Sequence, residues 1–289
     1  MAPLERRRAV ARRVDRAFAD HPEVSAVLVF GSVASGEVDE HSDVDLLVVS
    51  RARLLPLGAR RRVLSGLGAG WVFRDRTDHN RLFANADTGG VVDGVPVEVH
   101  YQTVPWMSSV LGQVLGRGAI TTAALPFRPY TLPGLLRRAW LLTDNDGAVA
   151  RWREQAAVFP EALRENILRR FVPVLRGHAE ELCAGAERGL GARVFVFHLD
   201  RAEDALFSVL WALNGVYDPA DKRAEQVVLP GLARAPADLL PTLNRVLEGP
   251  FDRDGALGRA RLFAQLADAV LEMAEARADQ TGTTPTPSA

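Results

Sequence analysis

Two patterns of hydrophobic and polar positions follow one another along the chain. In the first part, short apolar runs rich in β-branched residues are separated by polar connectors, which is typical of strands. The predicted strands are 24–30, 44–49 and 95–101. Apolar residues at helical spacing predict helices at 4–19 and 52–66. The stretch from Trp71 to Phe83 is mixed and could contain a strand, and Asp93-Gly94 is a turn signal.

From about residue 130 onward, the apolar positions recur every three to four residues, which predicts helices. One helix opens at Pro160 and is bent or ended by Pro173. Further helices are predicted at 198–213, 237–247 and 256–276. Asp200 and Glu203 have the spacing of a capping box at the start of one of them.

These patterns predict an α+β fold, with a small sheet flanked by helices followed by an all-helical C-terminal domain. The predicted domains are 1–128 and 129–278. The remaining residues, 279–289, are polar and proline-rich, and we expect a disordered tail.

Composition excludes several classes of protein. With 289 residues, 47% hydrophobic, 25% charged and a net charge of −1, the chain is typical of a globular protein with no overall attraction to nucleic acid. Cys183 is its only cysteine, so no intrachain disulfide can form. The N-terminal region has no apolar segment typical of a secretory signal, and no stretch approaches the roughly 20 apolar residues that cross a bilayer. We therefore expect a cytoplasmic protein without a membrane partner; the oligomeric state, a homodimer included, stays open.

Two acidic residues begin the second predicted strand. Residues two apart in a strand point to the same side, about 6.7 Å from each other, so Asp43 and Asp45 face one way while Val44 and Leu46 face the core. Two such carboxylates repel one another by about 2–3 kcal/mol at an effective dielectric near 20. A divalent cation reverses the sign of that energy, and hard oxygen ligands suit Mg²⁺. The pair therefore predicts a magnesium site.

The preceding turn has the residues needed to hold phosphate. Gly31 lets the backbone approach a ligand, and the turn amides together with the Ser32 hydroxyl can bind phosphate oxygens. Ser42, directly before Asp43, offers another hydroxyl donor. We predict Gly31, Ser32 and Ser42 as nucleotide-binding residues.

Gly31-Ser32, ten further residues and then Asp43-x-Asp45 on a strand resembles the signature of the DNA polymerase β-like nucleotidyltransferase superfamily. The resemblance implies a third carboxylate on a later neighbouring strand, and Glu98 matches that position. It also implies that Asp43, Asp45 and Glu98 hold two Mg²⁺ ions, with Glu98 as metal ligand, general base or both. His100 shares the face of Glu98 and could line the same cleft, but we favour its interpretation as a surface histidine.

In layout the chain is most similar to antibiotic nucleotidyltransferases of the aminoglycoside and lincosamide type. In those proteins a lysine on a C-terminal helix reaches the nucleotide triphosphate, and Lys222 matches it as the single lysine of the chain. An ammonium is a compact charge that fits between several phosphate oxygens, whereas a guanidinium prefers bidentate partners. Two simpler interpretations remain open, namely a coding bias toward arginine and an exposed salt-bridge cluster around Lys222.

The function that follows is Mg²⁺-dependent transfer of AMP from ATP to a hydroxyl of a small molecule such as an aminoglycoside, with a role in antibiotic resistance. The helical domain would close over the nucleotide and choose the acceptor. One alternative is nucleotidylation of tRNA or protein, although we do not expect a nucleic-acid partner. Another is a non-catalytic nucleotide-binding module, against which the presence of all three acids argues.

Overall fold

The computed structural model describes residues 2–74, 82, 85–125, 128–219 and 228–281. It contains two compact units, the first reaching Val158 and the second beginning at Phe159. The predicted domain boundary at residue 128 falls inside the first unit. The difference arises because Trp140–Asp144 adds a strand to the sheet of the first unit, antiparallel to Val24–Phe30.

The first unit is a mixed sheet with helices. Within the described residues its sheet has six strands in the order β3-β4-β5-β2-β1-β6. The strands are β1 (Val24–Phe30), β2 (Val44–Ser50), β3 (Val72–Phe73), β4 (Asn85–Val92), β5 (Val95–Thr103) and β6 (Trp140–Asp144). The helices are α1 (Pro3–Ala19), α2 (Gly31–Ser35), α3 (Leu57–Ser65), α4 (Val104–Arg117), α5 (Thr131–Arg138) and α6 (Ala148–Gln155). The predicted α+β class is thus confirmed.

Both faces of the central strands are covered. Alternate residues of β1, β2 and β5, such as Val44, Leu46 and Val99, form a buried cluster with Val14 and Phe18 of α1. On the opposite face of β2, Leu47 and Val49 are also buried, while Asp45 on the same face is only partly buried. Hydrophobic burial therefore fixes the register of these strands, because a slip by one residue would exchange the two faces.

Strand β4 was missed by the sequence analysis. It runs through Asp87, Gly89 and Gly90, residues with little strand propensity, and it pairs antiparallel with β5. The turn that joins them is Asp93-Gly94, where both residues have positive φ, at 50° and 72°. This is the conformation of a two-residue hairpin turn, so the prediction of Asp93 as a turn residue is confirmed.

The second unit is helical, as predicted. Its described helices are α7 (Glu161–Glu187), α8 (Ala192–Asn214), α9 (Leu239–Glu248) and α10 (Arg253–Thr281), with a short 3₁₀ turn at Leu229–Gly231. Leu206 and Val209 of α8 share one apolar core with Phe263 and Val270 of α10. Although three of these helices are long, none of the helices in the described residues is apolar enough over sufficient length to span a membrane.

Two details of the helical prediction are wrong, and one of two alternatives for a third is excluded. Helix α7 continues through Pro173 to Glu187, so the proline does not end it, and a bend at Pro173 stays a prediction. Helix α8 begins at Ala192, which places Asp200 and Glu203 inside the helix instead of at its N-cap. The start of α8 was not predicted because the run from Val194 to Phe197 is rich in residues of weak helix propensity. Packing of α8 against α7 overrides that propensity. Helix α10 reaches Thr281, past the predicted start of the tail at 279, and residues 282–289 lie outside the described residues.

Candidate metal and nucleotide site

Two of the three predicted acids lie side by side on adjacent strands. Asp45 of β2 is directly opposite Glu98 of β5 in the parallel pairing. The neighbouring residues Val44 and Val99 belong to the buried cluster, so both carboxylates project from the other face of the sheet. Glu98 therefore shares the face of Asp45, the geometry that the metal-site prediction requires.

His100 belongs to the same group of side chains. Its Nε2 lies 3.7 Å from Glu98 Oε2 and 3.9 Å from Asp45 Oδ1. Among the described residues, one ligand atom from each of Asp45, Glu98 and His100 lies within 4.8 Å of the others. The imidazole is only 15% exposed, and its ring centroid is 5.3 Å from that of Phe30. The interpretation of His100 as a surface histidine is therefore wrong; Phe30 and the neighbouring strands cover it.

Asp43 lies beside this group without being part of it. It precedes β2 and is partly buried. Burial raises the pKa of Glu98; the imidazole of His100 lowers it, and the negative charges of Asp45 and Asp43 raise it further. Three carboxylates thus act on one another at this end of the sheet. A bound cation would relieve their repulsion, so the donor set fits a divalent metal.

Gly31 makes room for the Asp45 carboxylate. The residue follows β1, where Phe30 pairs with Asp45, and its φ of 67° lies in the left-handed region. A Cβ at this position would stand 2.8 Å from Asp45 Oδ2, closer than real Cβ contacts. Glycine is required here for two reasons, the backbone conformation and the close approach of the carboxylate.

We expect Gly31→Ala to reduce activity by about 10²-fold, since displacing a reacting group by about 1 Å has an effect of that size. The left-handed conformation should also cost about 1–2 kcal/mol in the free energy of unfolding. Gly36→Ala is the matched control, because Gly36 has φ 86° but its added Cβ would meet only Leu4 Cδ2 at 4.0 Å. Equal activity losses in the two variants would contradict the clash with Asp45.

The loop before Asp43 is held by a buried arginine. Arg7 of α1 is 7% exposed, and its guanidinium donates to the carbonyls of Ser42, at 2.7 Å, and Glu40, at 3.2 Å. The Ser42 hydroxyl accepts from Asp39 N–H at 2.8 Å and donates to Asp39 Oδ1 at 2.9 Å. Ser42 therefore closes this loop, and its predicted donation to a nucleotide would require the hydrogen bond that it donates to Asp39 Oδ1 to break. Sequence analysis had no signal for Arg7, which lies in a run of three arginines.

A buried ion pair lies on the core side of the sheet. Arg60 of α3 and Asp87 of β4 are fully buried, with Nη1 and Oδ1 2.6 Å apart. Burial raises the pKa of Asp87, and the Arg60 guanidinium acts in the opposite direction. Arg60 Nη1 also donates to the carbonyl of Arg74 at 3.2 Å, and Arg74 N–H donates to Asp87 Oδ1 at 3.3 Å. The pair therefore fixes the backbone of Arg74.

Arg74 directs a positive charge toward the acidic group. Arg74 directly follows Phe73, the last residue of β3, which pairs with Asp87, and it is exposed. The next pair of the sheet after Asp87 and Val99 is Ala86 and His100. The Arg74 guanidinium lowers the pKa of Glu98, although less than burial raises it. The sequence did not indicate Arg74, because its place depends on the pairing of β3, β4 and β5.

Ser32 and Lys222 were also predicted to bind the nucleotide. Ser32 is partly buried in the first turn of α2, directly after Gly31, so the Gly-Ser turn lies at the end of β1. Lys222 lies outside the described residues, and its predicted contact with the triphosphate stays a prediction.

Comparisons with known proteins agree with the motif. Residues 13–64, which include Gly31, Ser32, Asp43 and Asp45, match the family model described as polymerase beta, nucleotidyltransferase. The segment that carries the predicted motif is thus similar to the polymerase beta nucleotidyltransferase family, and the match supports nucleotidyl transfer as a general activity. Comparison with curated proteins gives no match. Among solved structures, the chain is similar to a nucleotidyltransferase-like protein from Exiguobacterium sibiricum 255-15, at 15% identity over 91% of this chain and 74% of that chain, with a TM-score of 0.41.

Proposed function

We propose that this protein transfers a nucleoside monophosphate, AMP from ATP, to a hydroxyl of a small molecule such as an aminoglycoside or another antibiotic. The observation that carries the proposal is the direct opposition of Asp45 and Glu98 across two parallel strands, beside a glycine that leaves space for the Asp45 carboxylate. A binding module has no need for several carboxylates that repel one another. An enzyme that neutralises phosphate charge through divalent cations does need them.

Each residue has a defined part in this proposal. Asp43, Asp45 and Glu98 would hold two Mg²⁺ ions, which when bound would neutralise the triphosphate and lower the pKa of the acceptor hydroxyl. The turn at Gly31 and Ser32 would bind phosphate oxygens. Glu98 could also accept the proton of the acceptor hydroxyl as a general base. Positioning and charge neutralisation would then supply most of the rate enhancement.

Arg74 adds to the phosphate-binding capacity of the site. Its guanidinium is close enough to lower the pKa of Glu98, and its backbone is held by the buried pair of Arg60 and Asp87. The planar guanidinium suits bidentate contact with phosphate. We propose Arg74 as a nucleotide-binding residue next to Gly31 and Ser32.

The test is a screen for acceptors. The full chain is incubated with Mg²⁺ and each of the four nucleoside triphosphates labelled at the α-phosphate, together with aminoglycosides, lincosamides, tRNA or protein. We expect label from ATP to appear in a small-molecule acceptor, with pyrophosphate released in equal amount. If label appears in tRNA or protein instead, that macromolecule is the acceptor and the small-molecule part of the proposal is wrong. Nucleotide binding without label transfer or pyrophosphate release would favour a binding module and overturn the proposal.

Lys222 gives a separate prediction. If its ammonium binds the triphosphate, Lys222→Ala should lower kcat/KM by about 10- to 100-fold, because a hydrogen bond to a charged group contributes about 1.5–3 kcal/mol. Lys222→Arg should also be impaired, since a guanidinium does not fit between several oxygens in the same way. Arg223→Ala is the control for general loss of positive charge. Wild-type kinetics in Lys222→Arg would favour the coding-bias explanation of the single lysine.

A further inference from the structure

His100 supplies a nitrogen donor to a group for which the sequence predicted oxygen donors alone. Its Nε2 is 3.7 Å from Glu98 Oε2 and 3.9 Å from Asp45 Oδ1, so it faces both carboxylates at once. The imidazole is held between the sheet and the ring of Phe30, and it is less exposed than either acid, at 15% against 21% for Asp45 and 36% for Glu98. A side chain so enclosed has few other orientations to adopt.

The spacing of the three side chains fits one metal ion. Ligand atoms about 2.1 Å from an ion and at right angles to one another are about 3 Å apart. The two separations from His100 Nε2 are larger by less than about 1 Å, and the Asp45 and Glu98 ligand atoms lie within 4.8 Å of each other. Rotation of the carboxylates about their side-chain bonds can bring these atoms closer together. No backbone movement is needed, because Asp45 and Glu98 are already paired across β2 and β5.

The chemistry of the donors selects the ion. Mg²⁺ favours oxygen ligands and retains water, whereas imidazole nitrogen suits first-row transition metals. Mn²⁺ accepts both carboxylate oxygen and imidazole nitrogen in an octahedral site. We propose that Asp45, Glu98 and His100 bind a divalent transition metal, with His100 Nε2 as a direct ligand, so that this position prefers Mn²⁺ to Mg²⁺. The second ion of the proposed reaction would be held by Asp43 and the nucleotide.

The role of the ion in catalysis rests on the proposed function. The binding of the ion does not, and it is tested without nucleotide. Mn²⁺ is titrated into the full-length protein, and free Mn²⁺ is followed by its electron paramagnetic resonance signal. Pulsed measurements on the bound ion then detect a directly coordinated ¹⁴N nucleus. We expect one Mn²⁺ site with nitrogen coupling, which Mg²⁺ displaces only at a concentration at least about tenfold higher.

Two histidine variants complete the test. His100→Gln should remove the nitrogen coupling and weaken Mn²⁺ binding by at least about tenfold, with a smaller change in Mg²⁺ binding. His41→Gln is the matched control, because its imidazole is 88% exposed and lies two residues before Asp43. Thermal unfolding of both variants checks that the fold persists.

Bound Mn²⁺ without nitrogen coupling in the wild-type protein would overturn the proposal, and this result does not depend on any variant folding. An unchanged ratio of Mn²⁺ to Mg²⁺ affinity in His100→Gln would overturn it as well. Nitrogen coupling in a protein that transfers label to no acceptor would leave the metal site standing and refute the proposed function instead.

Discussion

We expect Asp45→Asn to lower the rate of nucleotidyl transfer by about 10³-fold, equivalent to roughly 4 kcal/mol of transition-state stabilisation. The reason is geometric. Asp45 lies opposite Glu98 and next to His100, and the missing side chain of Gly31 leaves space for its carboxylate. An amide keeps the size of the side chain but removes the charge that holds the cation. The measurement is transfer of labelled nucleotide at saturating metal and nucleotide.

The unfolding temperature of the Asp45→Asn variant shows whether its loss of activity comes from a loss of folded protein. Burial is the largest cause of the raised pKa of Glu98, and the charges of Asp45 and Asp43 raise it further, whereas His100 lowers it. Asp45 and Asp43 therefore repel the ionised form of Glu98. Removing one of these charges should leave the unfolding temperature of the metal-free protein unchanged or slightly higher. Asp43→Asn tests the second metal position in the same way, and Asp20→Asn is the control for an isosteric change on the surface of the first unit. More than a tenth of wild-type activity in Asp45→Asn would rule out its role as a metal ligand.

The second large effect concerns stability. We expect Asp87→Asn to lower the free energy of unfolding of the first unit by about 3–5 kcal/mol, because it leaves the buried Arg60 guanidinium without its counter-ion. Both side chains have no exposed surface, so solvent cannot compensate. Tyr101 lies beside the pair, with its ring centroid 5.0 Å from Arg60 Cζ, and burial raises the pKa of its hydroxyl well above the usual range. The measurement is denaturant unfolding followed by circular dichroism.

Two further variants show whether the loss of stability in Asp87→Asn comes from an unpaired buried charge. Replacing both partners by apolar residues, as in Arg60→Met with Asp87→Leu, should destabilise less than Asp87→Asn alone, since no unpaired charge is then buried. Asp146→Asn breaks the exposed pair of Arg51 and Asp146 and should leave the transition nearly unchanged. A small loss in Asp87→Asn, similar to that in Asp146→Asn, would show that the buried pair does not stabilise the sheet.

Much of the fold could be predicted because its signals are local. Strands β1 and β2 were predicted almost at their observed bounds, since each is a short apolar run whose neighbours are polar. Strand β5 followed in the same way from the Asp93-Gly94 turn. Its partner β4 was not predicted, because its glycines give it no strand signal of its own and only pairing with β5 makes it a strand.

The surroundings of charged and titratable residues could not be predicted from the sequence. Arg60 and Asp87 would be assigned to the surface by residue type, and each is buried because the other lies beside it. His100 was interpreted as exposed, since alternation along one strand cannot show what covers its polar face. Asp200 and Glu203 had the spacing of a helix start, but the packing of α8 against α7 extended the helix past them.

The sequence by itself determined the chemistry that is encoded within one continuous segment. Gly31, Ser32, Asp43 and Asp45 lie on two consecutive strands and their connector, so their spacing predicted the resemblance that the family model also finds, together with a cation site. Only the tertiary structure decided which other side chains meet them. Glu98 and His100 reach Asp45 through hydrogen bonding between β2 and β5, and Arg74, which follows β3, is close enough to lower the pKa of Glu98. Strand pairing and burial depend on residues far apart in the chain, so no local pattern contains them.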